Sequence, residues 1–153
     1  GIRPQEVTRL TWNDIFLDTP SKVIKVRSMA SKTGGTRQVS ICAALESWLR
    51  IAPRQEDNSI CPPQWPVRWA GLRYRAGWDA NGKRWPNDAL RHTFASYHVL
   101  THRDIPRLQL EMGHSSSTQI MHRYMNLSGV DQEMAECFWN IVPEEDFYAD
   151  RNA

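Results

Sequence analysis

Five stretches of the 153-residue chain combine cationic side chains with groups able to move a proton or attack an electrophile. Arg3 stands just ahead of Pro4 and Glu6, at a helix start where free backbone N–H groups and the helix dipole also favour an anion. Lys32 occupies the turn Ser31-Lys-Thr-Gly-Gly-Thr36, which can present an ammonium to a phosphate or a leaving oxygen. Arg91 lies in Leu90-Arg-His-Thr-Phe-Ala-Ser-Tyr97, one position from an apolar face marked by Leu90, Phe94 and Tyr97. A half-buried guanidinium there needs an anionic partner, either a protein carboxylate or a bound phosphate. His114 follows Gly113 at the head of a serine-rich stretch and can donate to a phosphate oxygen or transfer a proton. Tyr124, in Ile120-Met-His-Arg-Tyr-Met125, carries a hydroxyl able to attack phosphorus when nearby cations hold the developing charge. Taken singly, each has an ordinary reading: a surface arginine paired with Glu6, a solvated hairpin lysine, an internally paired arginine, a capping histidine and a core tyrosine.

Two further constellations invite chemistry. His92, His98 and His102 suggest a metal, but no carboxylate or cysteine completes a familiar ligand spacing and no HExxH pattern is present. Between residues 64 and 85, Trp65, Trp69, Trp78 and Trp85 mix with Arg68, Arg73, Arg75, Lys83 and Arg84. Such a mixture can flank a nucleic-acid backbone; the expectation is that most of the tryptophans are core and the arginines face a partner.

The elements that must position these residues follow from periodicity. Pro4 with Glu6 behind it suits a short helix. Residues 15–18 and 22–28 read as strands across a Thr19-Pro20-Ser21 turn, with Val23, Lys25 and Arg27 alternating against Ile24 and Val26. Residues 37–41 return as the partner strand after the glycine turn. Ala43–Ile51 is helical, with Ala44, Leu45, Trp48 and Ile51 on one face and Pro53 as the stop. Residues 53–63 form a loop. Pro86-Asn87 opens a long helix to about Leu100, Asp104–Met112 is a short helix ended by Gly113, and helices over 118–127 and 130–141 complete the chain, with Pro143 as the final stop. The fold class is α+β and mostly α-helical: a small antiparallel β-sheet near the N-terminus followed by about six helices, forming one domain over residues 1–153.

Composition bounds the reading further. With 41% hydrophobic and 24% charged residues the chain suits an ordinary globular domain, not a disordered or fibrous one. It holds no apolar run long enough for a membrane span. Cys42, Cys61 and Cys137 are odd in number and widely spaced, which predicts a reduced cytoplasmic protein without a disulfide framework. The net charge of +2 conceals an asymmetry: residues 1–130 hold 18 Lys and Arg against 10 Asp and Glu, whereas residues 131–153 hold one arginine against seven carboxylates. Arginine outnumbers lysine 15 to 4, and its fork suits phosphate, so a basic body with an acidic tail fits a polyanion partner.

The order of the five stretches is informative. Gly1-Ile-Arg-Pro-x-Glu-Val-x-x-Leu-x-Trp-x-Asp-Ile15, Lys32-Thr-Gly-x-x-Arg37, Leu90-Arg-His-Thr-Phe-Ala-Ser96 and Met112-Gly-His-Ser-Ser116, with a tyrosine ten residues after His114, together resemble the tyrosine recombinase (phage integrase) family. The resemblance runs from Gly1 to Pro143 and is most specific in Leu-Arg-His-Thr-Phe-Ala and Gly-His-Ser-Ser. It implies the C-terminal catalytic domain of a site-specific recombinase. Arg3 and Arg91 would clamp the scissile phosphate, Lys32 would protonate the leaving 5′ hydroxyl, His114 would support a phosphate oxygen, and Tyr124 would form a 3′-phosphotyrosyl bond to DNA. Two arginines and a histidine can neutralise the equatorial charge of an in-line displacement, so the resemblance implies neither metal nor cofactor. It also implies double-stranded DNA as partner and a homotetramer of the full-length protein on DNA. The fragment alone would be monomeric, and the setting a phage or mobile element.

Three departures qualify the match. Asp88 stands three residues before Arg91, where the family usually has histidine, and a carboxylate beside a phosphate repels it. Tyr124 lies eleven residues after Gly113, a spacing that varies in the family; Tyr148 is too near the end to replace it. The chain begins without methionine at Gly1 and is expected to be a piece of a longer protein. It would lack the N-terminal DNA-binding half, so that alone it would bind DNA weakly and recombine poorly. The rival readings are a DNA-binding remnant that has lost catalysis, a type IB topoisomerase-like relaxase, and a metal-binding scaffold on His92, His98 and His102. The acidic segment 131–150, with Met134, Cys137, Phe138 and Trp139, is a candidate docking helix for a partner, with packing inside its own chain as the alternative.

Overall fold

The structure, a computed structural model, describes residues 1–27, 35–114, 116, 118 and 129–144. Lys32, Tyr124 and the expected helix over 118–127 (apart from Thr118) lie outside the described residues.

Near the N-terminus, Pro4–Val7 form a single helical turn, α1, with Pro4 supplying the φ a first turn needs. A 3-10 turn at Trp12–Asp14 leads into a three-stranded antiparallel sheet of β1 (Ile15–Phe16), β2 (Val23–Val26) and β3 (Arg37–Ser40), paired in the order β1-β2-β3. β1 is shorter than its expected span of 15–18: Ile15 pairs with Ile24 and Phe16 with Val23, and the chain bends into the turn toward β2 directly after. In register, Ile24 faces Val39 and Val26 faces Arg37. Ile24, Val26 and Val39 are buried, so the alternation seen in the sequence also places Arg37 on the core face.

The helices follow. α2 (Ala43–Ile51) has the expected bounds and covers the sheet with Leu45 and Leu49, packed near Leu10, Ile24 and Ile41. α4 (Ala89–His102), α5 (Ile105–Met112) and α6 (Gln132–Trp139) form the second half, and α3 (Trp65–Arg75) precedes them. α4 starts three residues after Pro86, because Asp88 takes a left-handed φ of 53°. α5 is capped by Asp104, whose carboxylate accepts the Arg107 N–H at 3.0 Å. Gly113 ends it at φ +63°, a conformation glycine adopts without a Cβ clash. Ala95, Leu108 and Met112 form the centre of this half, with Phe94, Val99 and Ile105 around them. An apolar cavity of about 850 Å³ separates the two halves, lined by residues that include Ile2, Leu45, Trp48, Phe94 and Trp139.

Two expectations are corrected. Leu90 is exposed rather than buried; the buried stripe of α4 is Arg91, Ala95 and His98, because the helix turns its small Ala95 toward α5. The tryptophans of residues 64–85 are not core: α3 buries no side chain. They pack on one another instead, with ring centroids 5.7 Å apart for Trp65 and Trp69, 5.5 Å for Trp69 and Trp85, and 5.3 Å for Trp78 and Trp85. Four indoles so close in sequence satisfy one another locally, braced by the 2.6 Å Arg73–Asp79 ion pair and by Lys83 over Trp78. Arg73, 5.7 Å from the Trp69 ring centroid, and Lys83 thus lie over rings of the same cluster. Of the two readings of the acidic segment, α6 shows the packing inside its own chain. Phe138 meets Tyr97 at 4.8 Å, Trp139 meets Phe94 at 5.7 Å, and the Trp139 indole donates to the Thr101 hydroxyl at 2.9 Å. Among the described residues no helix is long and apolar enough to cross a membrane.

Candidate active site

Arg91 ties the site together. It projects from the first turn of α4 and is only 5% exposed. Its Nη1 donates to the Gly1 carbonyl, and its Nη2 donates to the Met112 carbonyl at 2.7 Å. The first contact holds the segment that reaches Arg3 two residues later. The second holds the end of α5, from which Gly113 turns the chain to His114. Three stretches distant in sequence are thereby fastened to one guanidinium. Two of the guanidinium donors are thus taken by carbonyl oxygens that come from distant segments.

Arg3 caps α1. Its backbone N–H donates to Glu6 Oε2 at 3.0 Å, and its Nη1 lies 3.3 Å from Glu6 Oε1. The side chain stays partly open to solvent. The ordinary pairing with Glu6 is therefore real, and it leaves most of the guanidinium donors available. His114 is half-buried; its N–H donates to the Gln109 carbonyl at 3.1 Å and its carbonyl accepts from Gln109 Nε2 at 3.3 Å, which fixes the backbone of this turn. In sequence, Lys32 precedes Arg37 by five residues and Tyr124 follows His114 by ten. Asp88 is exposed at the N-cap of α4, one turn before Arg91, and its side chain caps no N–H.

Two residues without an assigned role in the sequence reading support this arrangement. Glu6 is 1% exposed and Arg37 is 8% exposed. Arg37 forks onto the carboxylate, with Nη1 at 3.1 Å from Oε1 and Nη2 at 2.5 Å from Oε2, and its Nε donates to the Glu111 carbonyl at 2.8 Å. Burial pushes the Glu6 carboxyl up, but its hydrogen bonds to Arg37 and Arg3 outweigh that and hold it below its usual 4.5. Alternation along Arg37-Gln-Val-Ser-Ile41 was the available signal: an arginine in step with Val39 and Ile41 sits on the buried face and must have a partner there.

The histidines farther along α4 do other work. His98 is 2% exposed, and neither of its ring nitrogens finds a hydrogen-bond partner among the described residues. It meets His102 edge-to-face with ring centroids 4.8 Å apart, within the aromatic cluster of Phe94 and Trp139. Burial first, and then the neighbouring His102, lower its pKa to about 4, so it is neutral near pH 7. Among the described residues no group of three or more His, Cys, Asp or Glu side chains is placed to hold a metal ion.

Residues 1–129 match the phage integrase family. The chain belongs to that family. Its fold is that of solved recombinases: the crystal structure of XerA recombinase superposes with a TM-score of 0.60 at 18% identity, over 99% of this chain and 54% of that one. The XerH site-specific recombinase in its pre-cleavage complex with difH substrate gives 0.56 at 20% identity, over 91% and 42%. The post-cleavage XerH complex with palindromic difH substrate gives 0.52 at 21%, over 92% and 42%. The chain thus spans about half the length of these proteins. No curated protein matches it by sequence. In this member of the phage integrase family, Arg3 stands at the start of α1, Arg91 in α4 and His114 after α5, and Arg37 of β3 bonds to Glu6 of α1 and to the Glu111 carbonyl of α5.

Proposed function

We propose that the chain is the catalytic domain of a site-specific DNA recombinase or integrase that cleaves and rejoins double-stranded DNA through a 3′-phosphotyrosyl intermediate. The observation that carries the reading is the Arg91 fork between the Gly1 and Met112 carbonyls, in a chain of the phage integrase family. In this reading Arg3, Arg91 and His114 hold the non-bridging oxygens of one phosphate. The Tyr124 Oη attacks phosphorus as the P–O5′ bond breaks, Lys32 gives a proton to the departing 5′ oxygen, and the tyrosine proton passes to solvent. Rejoining reverses each step, so the ester conserves the bond energy and no cofactor enters. Charge spread over the equatorial oxygens is the state that fixed cations stabilise most. The exposed position of Asp88, whose side chain makes no capping hydrogen bond at the start of α4, supports an active enzyme over a binding remnant. The complexes of XerH with difH substrate support duplex DNA as the partner. A homotetramer on two DNA sites, in the cytoplasm of a cell carrying a phage or mobile element, is the corresponding assembly and setting.

Covalent capture tests the reading. The chain is incubated with supercoiled plasmid and denatured with detergent, and protein–DNA adducts are collected. Adduct formation by the parent and its loss in Tyr124→Phe are expected. Plasmid binding without any adduct would favour the remnant, and relaxation of every plasmid at equal rate would favour a topoisomerase-like enzyme.

A further inference from the structure

We infer that Arg37 is a positioning residue that keeps Arg3 available to a phosphate by occupying the carboxylate that would otherwise capture it. The inference rests on the proposed role of Arg3 as a phosphate ligand. The sheet register fixes its starting point: Arg37 faces Val26 on the core side of β3, where its side chain is largely withdrawn from water. Glu6, also buried, is the partner. A carboxylate offers about four lone-pair positions. Arg37 takes two with its fork, at 3.1 and 2.5 Å, and the Arg3 backbone N–H takes a third at 3.0 Å. One edge is left for the Arg3 guanidinium, and that contact, at 3.3 Å, is the longest of the four. Arg3 is held in place but not consumed.

Without the Arg37 fork, two strong acceptor positions open on a buried anion. Arg3 is the other cation already touching it. A bidentate arginine–carboxylate pair is the favoured geometry for both groups, so Arg3 would swing fully onto Glu6, with its charge neutralised and its donors turned from an incoming phosphate. A second effect runs through the Arg37 Nε, which grips the Glu111 carbonyl one turn-end before Gly113 and His114. The close approach depends on Gly113: a Cβ there would lie 3.0 Å from Arg37 Cδ. Arg37 thus registers β3 against both phosphate-binding segments while it holds down the competing anion.

The test compares Arg37→Gln with Glu6→Gln in the chain, using inorganic phosphate as the probe, followed by phosphorus NMR line broadening, with thermal unfolding measured in parallel. Both substitutions break the same buried pair and lower stability. Their effects on phosphate are of opposite sign. Arg37→Gln is expected to weaken binding about tenfold, Glu6→Gln to strengthen it about threefold by removing the competing anion, and the double variant to bind at least as well as the parent. Arg37→Lys keeps the charge without the fork and falls between, which preserves the comparison where Arg37→Gln does not fold. Equal losses of affinity in both single variants, in step with stability, would overturn the inference and leave Arg37 a structural residue. So would an unchanged affinity in folded Arg37→Gln. Arg3→Ala separates the two levels: phosphate binding that is indifferent to Arg3 would remove the site itself, whereas dependence on Arg3 but not on Arg37 would remove the inference alone.

Discussion

Replacing Glu6 by glutamine probes the buried ion pair with the least change of shape. The glutamine oxygen still caps α1, as a capping box allows, but the charge facing Arg37 is gone. Four donors converge on the carboxylate, from the Arg37 fork and from the Arg3 N–H and Nη1. Removing one partner of a buried pair costs roughly 3–5 kcal/mol, because the remaining charge is left without compensation. Since glutamine keeps one acceptor and Arg3 is partly open to water, the lower end, about 3 kcal/mol, is expected. With a urea dependence of about 2 kcal/mol per molar, that moves the unfolding midpoint down by roughly 1.5 M, followed by tryptophan fluorescence. The pH dependence supplies an independent check. The folded-state pKa of Glu6 lies below its usual 4.5, so the stabilisation is fully present above that value and is lost as pH falls through the depressed one. The parent therefore loses stability on acidification that Glu6→Gln has already lost, and the gap between the two narrows. A cost under about 1 kcal/mol near neutral pH, or curves that stay parallel into acid, would refute the assignment of Glu6 as a buried charged partner.

Three further outcomes follow from the same geometry. Gly113→Ala must hold an L-residue at φ +63° with its Cβ against Arg37, and is expected to cost about 1–2 kcal/mol in chemical denaturation and to weaken phosphate binding. His98 is driven from 6.5 to about 4 by burial and by His102, so the unfolded chain binds the proton more readily between those values and stability falls as pH drops through that window. His98→Leu should flatten that slope in a pH series of unfolding midpoints. Trp69→Ala should raise amide exchange across residues 65–85 while leaving the main unfolding transition in place, because α3 buries no side chain and its indoles pack on one another.

Local signals carried much of this protein. The proline and glycine stops bound α2 and α5, and alternation placed Ile24, Val26 and Val39 inside. The family was legible because Leu90-Arg-His-Thr-Phe-Ala and Gly113-His-Ser-Ser are contiguous strings whose residue types perform the chemistry. Less was legible where two segments meet. Leu90 read as core because apolar residues usually set the buried face. On α4 that face belongs to Arg91, Ala95 and His98, selected by the neighbours α5 and α6 and not by the periodicity of α4 alone. The tryptophans read as core because of their area, and nothing in their spacing says that they bury one another outside the main core.

The sequence by itself determined which chemistry the chain is equipped for, since that depends on residue type and order: cations at Arg3, Lys32 and Arg91, an imidazole at His114, and a hydroxyl at Tyr124. Tertiary structure decided how the described members of that set are held. Arg91 reaches two carbonyls, and Arg37 and Glu6 meet across thirty-one positions of chain. The physical reason is that a buried charge must be matched wherever it falls, and which group matches it is settled by the packing of sheet and helices around it, not by its neighbours in sequence.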